Sequence, residues 1–315
     1  MCYSAEVWPS PWDYKKAFGA TPDLEAFARL YQLQGRGGAV KTAKGMDDVF
    51  MAGSAPDEVE IKAHIQARNR NRLQEFEQQL FTQAARLANA ERKLAVKPTL
   101  TGEKEQLAAS NKIAQIKRWI ADMKRGDPVP ERDNRIWPNS FCPVMLVEDG
   151  RRVIRPMRYH LRPYWMPASS DRTKDGKTSG KYNARRDRLT GFWRPLFGVR
   201  HAVVVATTFY ENVTGEDGQS KVLAFTPRTC EPMLIACLWS PWSDSAGSEP
   251  DLLSFAAITD EPEPEVAQAG HDRTIINLKP EHIDAWLNPD AHDAVYLQAI
   301  LDDKRHPYYE NRAAA

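Results

Sequence analysis

Cysteine follows the initiating methionine, and that position permits a chemistry closed to an internal cysteine. An aminopeptidase removes Met1 readily when the next side chain is small, which leaves an α-amine and a thiol on neighbouring carbons of Cys2. The amine titrates near ~8 and the thiol near ~8.5, so both nucleophiles are partly available at neutral pH. With an aldehyde the amine forms an imine, and the thiolate then closes a five-membered thiazolidine on the imine carbon. Three later stretches offer groups that could serve such a reaction. Tyr182-Asn183-Ala184-Arg185 carries an amide that both donates and accepts, and a guanidinium suited to phosphate. Glu211 follows the apolar run 202–206, and a carboxyl at the end of a buried strand is desolvated and open to tuning as a general acid or base. Gly270-His271-Asp272-Arg273 holds an imidazole able to move protons near neutrality. Each stretch also has a plainer reading: turn chemistry, a strand-end Glu facing water, a surface histidine.

Those side chains need a frame, and the hydrophobic pattern supplies one. After Trp137-Pro138 the period shifts towards two, predicting strands at 142–148, 153–159, 201–207, 221–226, 233–239 and 253–259. Asp149-Gly150 and the segment 215–218 join two of these pairs as hairpins. Strands in series without regular helical crossovers imply a mostly antiparallel, barrel-like sheet with appended helices, an α+β class. A helix is expected over 22–34, with Leu24, Phe27, Leu30 and Tyr31 on one face, ending in Gly35-Arg36-Gly37-Gly38. From 57 to 97 there is neither Gly nor Pro, and Leu73, Phe76, Leu80, Ala84, Leu87 and Leu94 recur at helical spacing. A second helix over 102–125 carries a matching stripe of Ile113, Ile116, Ile120 and Met123. The two read as a helical hairpin spanning 48–135, inserted into a domain formed by 1–47 and 136–315. Residues 167–181 read as a flexible loop, and the tail from Pro280 as two short helices that turn Ile283, Trp286 and Leu287 inward.

The formal net charge of +1 conceals a strong asymmetry. Residues 151–200 hold 14 Lys/Arg against 3 Asp/Glu, whereas 241–315 hold 5 against 15. Tyr159, Tyr164, Trp165, Tyr182, Phe192 and Trp193 interleave with the basic residues. That mixture suits single-stranded nucleic acid, because phosphates meet charge and unstacked bases meet π-faces. A solvated basic surface balanced by the acidic last third is the alternative. No apolar run reaches the ~20 residues of a membrane span, and the first residues lack the layout of a signal peptide. Four cysteines without a CxxC pair fit a reducing cytoplasm and no zinc ribbon.

Taken in order, Met1-Cys2, Asn183-Ala184-Arg185, Phe209-Tyr210-Glu211 after a buried strand and His271-Asp272-Arg273 together resemble the SRAP family, the SOS response-associated peptidase domain. Met157-Arg158-Tyr159-His160-Leu161-Arg162-Pro163-Tyr164-Trp165 looks like a variant of the family's tryptophan-glycine-leucine-x-proline segment. Ala236-Cys237-Leu238-Trp239 and Trp286-Leu287 also fall in register. The chain departs at Tyr3-Ser4 in place of Gly-Arg, at Asn212 in place of Trp, and at Thr274-Ile275 in place of Met-Pro.

The resemblance implies a nucleoid-associated protein that binds single-stranded DNA and traps abasic sites, whose ring-opened sugar is an aldehyde. In that reading Cys2 is the covalent nucleophile and Asn183 positions the amine or the sugar. Glu211 relays protons during imine formation, and His271 assists ring opening and reversal. Arg185, Arg158, Arg162 and Trp165 contact DNA. No metal or organic cofactor is required, and the hairpin is left for a protein partner. The competing expectations are an N-terminal-cysteine peptidase and a non-catalytic nucleic-acid-binding module.

Overall fold

A computed structural model of the chain describes residues 3–35, 40–214 and 218–314, with the side chain of Asp57 excepted. In chain order it begins β1 (Ser4–Val7), α1 (Pro11–Phe18), β2 (Thr21–Pro22), α2 (Leu24–Gly35), β3 (Lys41–Thr42) and α3 (Lys44–Ala52). The long pair α4 (Pro56–Val96) and α5 (Leu100–Lys124) follows, then α6 (Pro130–Asp133) and β4 (Arg135–Ile136). The sheet continues through β5 (Ser140–Glu148), β6 (Arg151–Tyr159), β7 (Asn183–Arg185), β8 (His201–Thr214) and β9 (Ser220–Pro227). It ends with β10 (Met233–Trp242) and β11 (Leu252–Asp260), then α7 (Pro264–Gln268), β12 (Thr274–Ile275), α8 (Ile283–Leu287), α9 (Ala294–Asp302) and β13 (Tyr309–Ala313).

Five strands close into a barrel in the order β8-β10-β11-β6-β5, completed where Met145 of β5 meets Val203 of β8. The fold class is α+β, as the pattern of strands predicts. Most pairings are antiparallel, but β11 runs parallel to both β6 and β7, so the barrel is mixed. The β5–β6 turn is tight because Asp149 and Gly150 both adopt positive φ (49° and 71°), the twist a two-residue hairpin favours. Both faces of the central strands are buried, which is why 202–206 reads as an unbroken apolar run. Val204 and Ala206 point into the barrel with Met157, Tyr159, Cys237 and Phe255. Val203 and Val205 point outward beneath Trp286, Leu297 and the N-terminal helices. Trp286 donates from Nε1 to the carbonyl of Ala202 at 3.1 Å, which fixes the C-terminal helices on that outer face.

The helical pair forms as its sequence dictates. Pro98 ends α4, and Thr99 caps α5 by accepting from the Gly102 N–H at 3.2 Å. At ~1.5 Å rise per residue the 41 residues of α4 extend for about 60 Å. Only the first part of α4 joins the main core: Ile61 and Ile65 are fully buried beside Phe27, Tyr31 and Phe50. Beyond it α4 and α5 pack chiefly on each other through residues such as Phe76 and Ile116.

Two expectations need correcting. Glu211 lies inside β8 rather than at its end, because pairing with β9 continues from Phe209–Phe225 out to Thr214–Ser220. The segment 167–181 is built into the fold instead of hanging as a loop. It forms a 3-10 turn at Ala168–Asp171 and a bridge between Arg172 and Thr178, and Ser179 bonds the ring of the buried His160 at 2.9 Å. Among the described residues no helix is long and apolar enough to cross a membrane.

Candidate active site

Strand β8 serves two purposes along its length. Its first half is a barrel stave between β10 and β5, and its second half is held between β1 and β9. Glu211 stands in that second half, with its side chain only 1% exposed. Register brings the N-terminal strand alongside it: Ser4 pairs with Tyr210, and the Tyr3 N–H donates to the Tyr210 carbonyl at 3.2 Å. Glu6 reinforces the arrangement by accepting from the Tyr210 hydroxyl within the same strand pair. Cys2 lies outside the described residues; its covalent neighbour Tyr3 does not.

His271 approaches Glu211 from the connection between α7 and β12, with Nε2 3.2 Å from Oε2 and its side chain 8% exposed. The other ring nitrogen, Nδ1, lies 2.9 Å from the Arg273 carbonyl. A carbonyl can only accept, so Nδ1 carries the proton and Nε2 turns its lone pair to the carboxyl. Burial dominates the electrostatics of both groups. It pushes the Glu211 carboxyl up to about 8. It pushes the His271 imidazole down. The consistent state at neutral pH is a protonated carboxyl facing a neutral imidazole, one proton between two buried groups.

Asn183 reaches the same end of the barrel by another route. β7 runs parallel to β11, setting Asn183 against Ala257 and Arg185 against Thr259. Thr259 also pairs with Ile275 of β12, so β7 and the strand that follows His271 flank the same end of β11. Asn183 is buried, and its Oδ1 accepts from the Tyr159 hydroxyl at 3.4 Å. Arg185, 42% exposed, forks onto Asp187 at 2.8 and 2.9 Å. Asp187 raises its guanidinium above the ordinary value, with Glu261 and then Asp272, next to His271, acting from further off.

The other three expected DNA contacts differ among themselves. Arg158 and Arg162 have side chains 11% and 8% exposed, and both bond to Asp171 Oδ2, at 2.8 and 2.6 Å. Arg162 also pairs with Glu249 at 2.9 Å and lies over the Trp242 ring. Much of the charge in this stretch therefore acts inside the protein. The role of Asp171 was missed by sequence reasoning, since nothing in the order of residues marks one Asp as the partner of two arginines. Trp165 is 39% exposed and meets Tyr164 and Phe192 edge-on, an aromatic surface that does face solvent. Asp171→Asn is expected to cost roughly 3–5 kcal/mol, because two buried guanidinium groups lose their shared carboxylate. Urea unfolding of the two proteins checks it, and a change below about 1 kcal/mol would show that the arginines find other partners.

Of the remaining cysteines, Cys142 and Cys237 are sealed in the barrel, where burial raises both thiols. Cys230 is exposed. Among the described residues no group of three His, Cys, Asp or Glu is arranged to hold a metal ion.

Fold and site together define a β-barrel whose N-terminal strand runs beside a buried carboxyl–imidazole pair. Residues 97–312 match the profile of the family described as SOS response associated peptidase (SRAP), and the chain belongs to that family. Two relatives carry the name abasic site processing protein YoqW, one from Bacillus subtilis (strain 168) and one from Bacillus phage SPbeta. Each is 28% identical over 163 residues, covering 50% of this chain and 68% of its own. A crystal structure of a Bordetella bronchiseptica protein matches 58% of this chain and 87% of its own, with 17% identity and a TM-score of 0.47.

Proposed function

We propose that this chain traps abasic sites in single-stranded DNA as a covalent adduct on Cys2, in the response to DNA damage. The observation that carries the reading is the neutral Glu211–His271 pair lying beside the N-terminal strand β1, which Tyr3 leads into. The names of the Bacillus relatives support the substrate. Removal of Met1 frees the Cys2 amine, which attacks the C1′ aldehyde of the ring-opened sugar. The carbinolamine then loses its hydroxyl as water, with Glu211 giving the proton. The thiolate adds to the imine carbon, the nitrogen takes up a proton, and the thiazolidine closes. Glu211 is suited to this because a carboxyl that titrates near 8 still holds its proton at pH 7. Neutral His271 can accept a proton at Nε2 from the sugar hydroxyl as the ring opens. Asn183 positions the amine or the sugar from β7, and Arg185 exchanges Asp187 for a flanking phosphate.

Intact mass before and after incubation with an abasic single-stranded oligonucleotide tests the reading. A gain equal to the oligonucleotide minus one water is expected, and no gain would sink it. Arg185→Ala is expected to weaken binding of single strands and to lower the log–log salt slope by about 0.7, one phosphate contact. Titrations at several salt concentrations measure this; an unchanged slope would leave Arg185 to Asp187 alone.

A further inference from the structure

Between the helical pair and the barrel lies a cleft of about 470 Å3 that the trapping chemistry does not use. One wall comes from α4 and α5 and includes Arg68, Arg72, Phe76 and Trp119; the other comes from β3, α3 and the segment around Arg135 and Trp137. Six cations line it against three carboxylates. Asp47 pairs with Arg68 at 2.7 Å, Asp48 with Lys44, and Asp122 with Arg132, so lining carboxylates are matched and the excess is positive. Lys41 and Arg72 are exposed members of that excess.

The aromatic residues are distributed to match. Trp137 is 38% exposed with the Arg135 guanidinium over its ring, and Trp119 is 37% exposed, stacked on Phe76 with the Lys112 ammonium 4.8 Å from its centroid. Cations around partly exposed rings suit a strand whose phosphates need charge and whose bases need a π-face.

The cleft also abuts the strand pair that carries Glu211. Arg135 donates from Nε to Ser4 Oγ at 2.9 Å, and its guanidinium lies 3.5 Å from the centroid of the Tyr210 ring. Ser4 and Tyr210 are register partners, and Glu211 is the next residue. Arg135 thus ties the cleft to β1 and β8, although Tyr210 and Glu211 project to opposite faces of β8.

We propose that this cleft holds the stretch of single-stranded DNA flanking the trapped site, which makes the helical pair part of the DNA-binding surface. The proposal rests on the reading of the site given above, but its test does not depend on adduct formation. Lys41→Glu/Arg72→Glu reverses two exposed cleft charges, and Arg92→Glu/Lys93→Glu makes the same change of net charge near the far end of α4. Anisotropy of an undamaged labelled 20-mer is measured for both variants against the wild type over a range of salt.

The cleft variant is expected to bind roughly tenfold more weakly, with a log–log salt slope shallower by about 1.4, as two lost phosphate contacts require. The distal variant should lose much less. Trp137→Ala should weaken binding severalfold with the slope unchanged, since stacking releases no counterions. Equal losses in the two charge variants, or none in the cleft variant, would overturn the proposal. In parallel, saturating abasic DNA should still form adduct with the cleft variant. If even the wild type forms none, the trapping reading fails while the binding result still decides the cleft.

Discussion

Cys2→Ala and Cys2→Ser should each leave no adduct that survives denaturation, only one that decays when competing amine is added. The two variants divide the proposed reaction at its intermediate. Both keep an α-amine after Met1 is removed, so both can form the imine. Only the thiol closes the ring, and closure is what removes the hydrolysable C=N bond. Borohydride added during incubation should therefore capture Cys2→Ala and Cys2→Ser as reduced imines, while wild type is captured without it. Intact mass of the unreacted protein should lack the Met1 residue. If the initiator is retained the amine is acylated and the mechanism cannot start. Stable wild-type-level adduct from Cys2→Ala would assign the covalent bond to another residue. A cysteine peptidase makes the contrasting prediction: thiol alkylation should abolish peptide cleavage whether or not the amine remains free.

The strands were legible in the sequence because their burial is so complete. An unbroken run such as 202–206 has few solutions other than a stave packed on both faces, and Asp149-Gly150 fixes a hairpin register by itself. The helical pair was equally plain, since a stretch of this length without Gly or Pro, followed by Lys97-Pro98-Thr99, leaves little else to form.

The assembly of the site was less open to such reasoning. β1 pairs with β8 across some two hundred residues, and no local pattern in Ser4–Val7 specifies that partner. The extension of β8 past Glu211 was hidden for a similar reason. Asn212 and Thr214 dilute the apolar signal, although pairing to β9 holds both in the strand. Charge counts misled in another way. They registered Arg158 and Arg162 as available cations, whereas Asp171 draws both inward from a segment that composition alone marks as a loop. The order of motifs singles out Glu211 and His271 among other candidates, and geometry adds that these two stand in contact.

That contact sets the second large effect. Glu211→Gln preserves size and hydrogen bonding but carries no transferable proton, so adduct formation at pH 7 should slow by about 10²–10⁴. Affinity for an undamaged strand should change little, because Glu211 is buried and faces His271 rather than phosphate. The wild-type rate should fall as pH rises through about 8, where the carboxyl loses its proton. Glu211→Gln should lack that alkaline fall.

Stability supplies a readout independent of the reaction. The folded carboxyl titrates near 8 against an ordinary 4.5, so the native state keeps a proton that the unfolded chain gives up between those values. Wild-type stability should accordingly decline as pH rises across that interval, and Glu211→Gln should remove that part of the decline. His271→Ala withdraws the acceptor at Nε2 and should chiefly slow ring opening and the release of a preformed adduct. Urea unfolding from pH 5 to 9, with adduct formation and decay timed on one abasic oligonucleotide, separates the two roles. A Gln variant that reacts at the wild-type rate, with the same pH dependence of stability, would make the carboxyl a packing residue and send the proton route elsewhere.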